Sequence, residues 1–205
     1  MGKRTRNIYF TSDWHLNHAN SLVFDSRPFN DVTHMAEGLI KRFNAQVREE
    51  DVCYFLGDMG FGDVKSVMDR LNGTKILILG NHDKKQQAMM NQGFDAVMYN
   101  SSLYIGGEHV TMTHCPLRGV YREDTSGMKN SDGTENWHNE AKNHKYSVEN
   151  EGQFHLHGHI HSPNKGKSQK ILGRQYDVGV PANGYGPVSI GVIESWIVKT
   201  KRSED

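Results

Sequence analysis

The chain has 205 residues and carries 24 Lys+Arg against 24 Asp+Glu, so its formal net charge is zero and its pI is near 7.2. That balance argues against a nucleic-acid coat or a basic membrane-surface protein, since both need a strong positive field. Two cysteines, Cys53 and Cys115, with no Cys-x-x-Cys pair, argue against a disulfide framework or a thiolate zinc site and predict a reducing, cytoplasmic setting. What stands out is histidine: 12 residues, four of them at 155, 157, 159 and 161.

The length predicts one compact domain over residues 1–205. The basic start, Met1 to Arg6, runs straight into an alternating segment without the apolar stretch of a secretory signal, and the longest aliphatic run, 76–79, is too short to cross a bilayer. Residues 7–11 read as a strand that breaks into the polar 12–18. Over 31–47, Met35, Leu39, Ile40, Phe43 and Val47 fall on one helical face, with Asp31 as N-cap. A second strand is expected at 52–56, a second amphipathic helix through Val64, Val67, Met68 and Leu71, a third strand at 75–79 and a helix at 84–91. This alternation predicts βαβ units with functional loops at the carboxyl ends of the strands.

From residue 94 the rhythm changes. Short runs at 95–99, 101–105 and 108–113, with Gly106-Gly107 as a turn, predict a second, more antiparallel sheet. Residues 115–152 read as a variable loop or lid, with a short helix around Trp137. Strands resume at 154–157 and 169–178, 188–199 fits strand or helix equally, and the polar C-terminal tail is expected to fray.

Five polar clusters each follow an expected strand: Asp13-x-His15, Gly57-Asp58, Gly80-Asn81-His82-Asp83, Thr113-His114 and Gly158-His159-Ile160-His161. On an extended backbone the i, i+2 spacing of the first and last lets both side chains point the same way. Carboxylate, imidazole and carboxamide together form an N/O donor set suited to Zn²⁺, Mn²⁺, Fe or Co²⁺ rather than to Ca²⁺.

In this order the clusters resemble the signature of the calcineurin-like metallophosphoesterase superfamily, and the departures resemble its small bacterial and phage-type members. The resemblance implies an α/β (α+β) fold, a four-layer αββα sandwich of two mixed sheets flanked by helices, with the metal site at the strand C-terminal ends. It also implies two divalent ions, Mn²⁺ above all, with Fe, Zn²⁺, Ni²⁺ or Co²⁺ as alternatives. One ion would be held by Asp13, His15, Asp58 and His161, the other by Asp58 as bridge with Asn81, His114 and His159. His82 would stay unligated over the substrate phosphate, either protonating the leaving oxygen or hydrogen-bonding the phosphate. The implied reaction is hydrolysis of a phosphodiester, or a phosphomonoester, by a metal-bridging hydroxide. With only Asp13 and Asp58 anionic in the shell, two dications would leave a formal charge of about +2 for phosphate despite the neutral chain.

Outside the signature, His155 and His157 read as packing or supporting groups, and His18 as either a phosphate contact or a capping residue. Substrate contacts are sought in His18, Arg27 and Arg118, with Tyr121, Arg122 and Trp137 able to extend recognition to a nucleotide or nucleic acid. Protein phosphatases of the superfamily carry Gly-Asp-x-x-Asp-Arg-Gly; here Phe61 stands where that motif has its second carboxylate, which places phosphoprotein substrates low. A non-catalytic scaffold that keeps the fold is the alternative of another class.

Overall fold

The computed structural model describes residues 5–118, 144–162 and 173–204. Strand β1 (Ile8–Thr11) is followed by helices α1 (Ala19–Phe24) and α2 (Val32–Asn44), strand β2 (Val52–Phe55), helix α3 (Lys65–Met68), strand β3 (Thr74–Ile78), helix α4 (Gln86–Met90) and strand β4 (Ala96–Met98). These four strands run parallel, β1 on β2, β2 on β3 and β3 on β4. Strand β9 (Val188–Ser189) pairs antiparallel with the free edge of β1, giving the order β4-β3-β2-β1-β9.

A second sheet holds β5 (Ser101–Ile105), β6 (Glu108–Met112), β7 (Phe154–His157) and β8 (Gln175–Asp177) in sequence order. Only β5 and β6 form the expected antiparallel hairpin; β6, β7 and β8 are parallel, so this sheet is mixed. Glycines 106 and 107 make its turn with φ of 59° and 84°, the left-handed pair that matches the strand twist.

Alternation along the central strands divides their side chains between two apolar clusters. Tyr9, Cys53, Phe55 and Leu77 join Met35, Leu39, Ile40 and Phe43 of α2. Phe10, Leu56 and Ile78 join Val110, Met112, Phe154 and Leu156 of the second sheet, with Ile193 and Ile197 of helix α5 (Ile190–Glu204). The four buried α2 side chains contribute about 1.5–3 kcal/mol each. The Asp31 cap, whose carboxylate accepts from the His34 N–H at 2.7 Å, adds only about 1 kcal/mol. Burial therefore places α2, and the cap fixes where it starts.

Three expectations need correction. Helix α3 is a single turn, because Asn72-Gly73 turns the chain at once, with Gly73 at φ 80°. The ambiguous 188–199 stretch is a two-residue strand followed by helix. The polar tail, expected to fray, continues that helix to Glu204, where Arg174 pairs with the Glu204 carboxylate. The expected strand at 169–178 is seen as Gln175–Asp177, residues 163–172 lying outside the described ones. Among the described residues no helix is long and apolar enough to cross a membrane.

Candidate metal centre

Parallel pairing places the carboxyl ends of β1, β2 and β3 side by side, and the segments leaving them zip together. Asp13 N–H donates to Gly57 O at 3.0 Å, His15 N–H to Asp58 O at 3.0 Å and Leu16 N–H to Met59 O at 2.9 Å. Asn81 and His82 follow β3, His114 follows β6, and His159 and His161 follow β7. The two i, i+2 pairs do converge, but not on extended backbone. Asp13, His15, Asp58, His159 and His161 all have positive φ, between 45° and 71°. Backbone of that kind costs about 1–2 kcal/mol per non-glycine residue and gathers at functional sites.

Two glycines allow the segments to meet. A Cβ on Gly80 would lie 2.2 Å from Asp58 Oδ1, and one on Gly158 would lie 2.1 Å from Ser12 Oγ and 2.4 Å from Asp13 Oδ2. Gly158 has an ordinary φ, so the close approach of Ser12 and Asp13, rather than a turn, is what excludes a side chain there.

All seven expected ligands come together. His15 Nε2 lies 3.0 Å from His161 Nε2, 3.7 Å from Asp58 Oδ2 and 4.0 Å from Asp13 Oδ1, and His161 Nε2 lies 3.4 Å from Asp13 Oδ1. On the other side of Asp58, His114 Nε2 lies 3.4 Å from Asp58 Oδ2 and 2.9 Å from Asn81 Oδ1, which is 3.1 Å from His159 Nδ1. Ligands about 2.1 Å from one ion sit about 3.0 Å apart at right angles and about 4.2 Å apart when opposed, so each separation suits two donors of a common ion, or nearly so. Asp58 Oδ2 is shared by both groups. His114 Nδ1 lies 2.7 Å from Leu56 O and so carries the proton, which turns the other ring nitrogen, a lone pair when neutral, towards two oxygens. Buried acceptors aimed at acceptors need a cation between them, and this donor set fits a divalent one.

Without metal, protons fill that need. Burial would lower His114, but the Asp58 charge and hydrogen bond, with Asp13 and Leu56 O, raise it to about 9. Burial is likewise outweighed at His161, where Asp13 and Asp25 raise the imidazole to about 10. His15 goes the other way, to about 4, because burial dominates over the two carboxylates. Asp58 is held at about 2 against its burial by His114, and Asp13 is held well below the carboxylate range against its burial, chiefly by His161.

His82 stands at the opening, its side chain half exposed, with Nε2 4.0 Å from Asp58 Oδ2 and its N–H donating to Asp58 Oδ1 at 3.0 Å. Two acids to which the sequence assigned no role hold the centre in shape. Asp83 accepts from Asp58 N–H (3.0 Å), Met59 N–H (2.9 Å) and Gly80 N–H (2.8 Å). Asp25 lies 2.9 Å from His161 Nδ1. Asp83 stands in the Gly-Asn-His-Asp cluster, which marked the position but not its bracing role; nothing in the local sequence marks Asp25.

Arg27, expected among substrate contacts, is turned inward. Its guanidinium donates to Trp14 O, Asp13 O and Asp25 Oδ2, so it braces the loop instead of facing solvent. Arg118 is engaged with Ser147 and Glu149. His18 stands at the N-cap position of α1 without a side-chain capping bond and stays beside the centre, its ring 5.6 Å from that of His15. His155 is buried between Thr111 Oγ1, 2.8 Å from Nδ1, and Thr113 Oγ1, 3.1 Å from Nε2, and His157 is buried with Nδ1 2.8 Å from Gly158 O; both are packing groups, as expected. Tyr121, Arg122 and Trp137, and most of the expected lid, lie outside the described residues.

No model of a known protein family matches the chain. It is 30% identical over 203 residues to the uncharacterized protein MJ1445 of Methanocaldococcus jannaschii, covering 96% of this chain and 94% of that one. It is also 30% identical over 188 residues to the gene 66 protein of Mycobacterium phage L5, covering 87% and 88% of the two chains, and 30% identical over 176 residues to that of phage D29, covering 76% and 79%. The chain belongs to the family of these proteins. Among solved structures it is similar to a protein of unknown function, AQ665 from Aquifex aeolicus, with a TM-score of 0.67 at 22% identity, covering 93% of this chain and 99% of that one. That likeness speaks to the fold alone.

Proposed function

We propose that the protein is a dinuclear-metal-dependent phosphoesterase of the calcineurin-like type, acting on phosphodiesters and, secondarily, on phosphomonoesters, with its two sheets forming the inner layers of a four-layer sandwich. The observation that carries this reading is the set of donor atoms gathered on both sides of Asp58 Oδ2, with His82 beside them and half exposed. Asp13, His15, Asp58 and His161 would hold one ion, and Asp58, Asn81, His114 and His159 the other, with Mn²⁺ the first choice for an N/O set of this kind. Such a pair supplies Lewis acidity towards a phosphoryl group and acidifies water at neutral pH.

The chain's own residues do the rest. Asp83 fixes the turn that presents Asp58, and Asp25 orients His161. Trp14, Phe43 and Phe55 pack edge and face beneath the β1 and β2 loops, which keeps water from the underside of the centre. His82, bound among the described residues to no carboxylate closer than 4.0 Å, is the group able to donate to a leaving oxygen or to a phosphoryl oxygen.

The test is hydrolysis of bis-p-nitrophenyl phosphate and p-nitrophenyl phosphate by Mn²⁺-supplemented protein, abolished by EDTA. His82→Ala should keep its metal and lose turnover, whereas Asp58→Ala should lose metal. Inactivity towards both esters with Mn²⁺, Fe²⁺, Zn²⁺, Ni²⁺ and Co²⁺ overturns the proposal.

A further inference from the structure

Beside His82 the molecule exposes an aromatic ring. Among the described residues Phe61 is one of eight large apolar side chains left open, at 40% exposure, and its ring centroid is 6.0 Å from that of His82 and 4.8 Å from that of His18. With the His15 ring 5.6 Å from His18 and 5.9 Å from His82, four rings form a closed circuit at the edge of the centre. The Phe61 backbone is fixed on both sides. Its N–H donates to Leu16 O at 2.9 Å, and its carbonyl accepts from Asn17 Nδ2 at 2.9 Å. A ring presented from a fixed backbone loses less entropy when it stacks than one on a free loop, and an exposed phenyl is a poor neighbour for the charged surface of a protein substrate.

We propose, resting on the phosphoesterase reading, that Phe61 with His18 behind it is the leaving-group subsite, and that it selects phosphate esters whose alcohol carries a flat ring, as in nucleoside or aryl phosphates. Phe61 is thus a specificity residue next to His82.

The experiment measures binding of phosphate monoesters, in which the alcohol is the leaving group, to Mn²⁺-loaded protein by calorimetry, in injections short against turnover: AMP against ribose 5-phosphate, phenyl phosphate against methyl phosphate, and inorganic phosphate alone. Stacking of one base on an aromatic side chain predicts an advantage of roughly 5- to 100-fold for the ringed member of at least one pair. A gain in the AMP pair points to nucleoside esters and a gain in the phenyl pair to aryl esters. Phe61→Ala should erase the advantage while leaving ribose 5-phosphate and methyl phosphate unchanged, and Phe61→Trp should retain it. Equal binding within both pairs, or an advantage that survives Phe61→Ala, overturns the subsite while leaving the phosphate site standing. Absence of binding by every ligand, phosphate included, overturns both.

Discussion

Metal loading should expel protons, and the structure says how many. In the metal-free chain His114 is raised to about 9 and His161 to about 10, so at pH 7 both are imidazolium, while His15, at about 4, is already neutral. A divalent ion takes only neutral imidazole, so filling the centre at pH 7 must release at least two protons. Each released proton makes the apparent affinity change about tenfold per pH unit. The joint affinity for the ions should therefore rise about 100-fold per unit from pH 7 to pH 9, about tenfold per unit from there to pH 10, and then level off. Titrating EDTA-stripped protein with Mn²⁺ at pH 7, in two buffers of different ionisation enthalpy, reads the proton count directly. Fewer than two released protons would refute the argument that His114 and His161 hold the place of the cations. The same groups set the stability of the stripped protein. His114 and His161, raised on folding, stabilise it fully below their unfolded value of 6.5, and that contribution is lost as pH rises through about 9 and 10. His15 and His155, lowered by burial to about 4 and about 3, make stability fall as pH drops below 6.5. The stripped protein should be most stable near pH 6.5, losing stability progressively between there and about pH 9–10 as well as on the acid side.

Asp83→Ala strands the N–H groups of Asp58, Met59 and Gly80, each costing about 1–3 kcal/mol. Burial and Asp58 already push the Asp83 carboxyl up, which offsets part of the loss, so about 3 kcal/mol is expected from urea unfolding, and under about 1 kcal/mol refutes the brace. Asp25→Asn removes the anion that orients His161 and should weaken metal binding about 10- to 100-fold, read by competition with a chelating dye, with unchanged affinity counting against that role. Gly158→Ala forces a methyl against Ser12 Oγ and Asp13 Oδ2; a cost of about 1–3 kcal/mol is expected, with metal content falling while the circular dichroism spectrum is kept, and full metal content refutes the close-approach argument.

What could be read from the chain divides by range. Helix α2 was legible because its apolar period and its Asp31 cap are local and agree. The convergence of the seven candidate ligands was legible as a pattern, since each cluster follows a strand and parallel pairing carries strand ends to one side. Their backbone was not, because left-handed φ at Asp13 or His159 is imposed by bonds to distant segments rather than by residue type. Distance also hid Arg27 and Asp25. An arginine in a loop beside a phosphate site reads as a substrate contact, and only the fold shows it buried under Asp13 and paired with the carboxylate that faces His161. Helix α5 escaped for a different reason: Gly191, Thr200 and the polar 199–204 weaken its period, and it holds through Ile193 and Ile197 against the sheets.

The strained backbone and the buried charges have one common explanation. Five residues at about 1–2 kcal/mol each amount to roughly 5–10 kcal/mol, comparable with the whole stability of a typical domain. Such a cost persists only where other contacts over-determine the geometry. Here the bonds from Asp13, His15 and Leu16 to the 57–59 segment, those from His159 N–H to the Asp13 carboxylate, and the Asp83 cradle fix each loop from two sides. The loops are thus arranged before any ligand arrives, by the protein's own hydrogen bonds, while the charge at their centre is balanced by two titrating imidazoles rather than by anything permanent. A site built in this way is rigid in shape and exchangeable in charge. That combination suits a centre that takes up cations without remodelling, and it implies that stripping the metal will change the titration behaviour of the protein far more than its backbone.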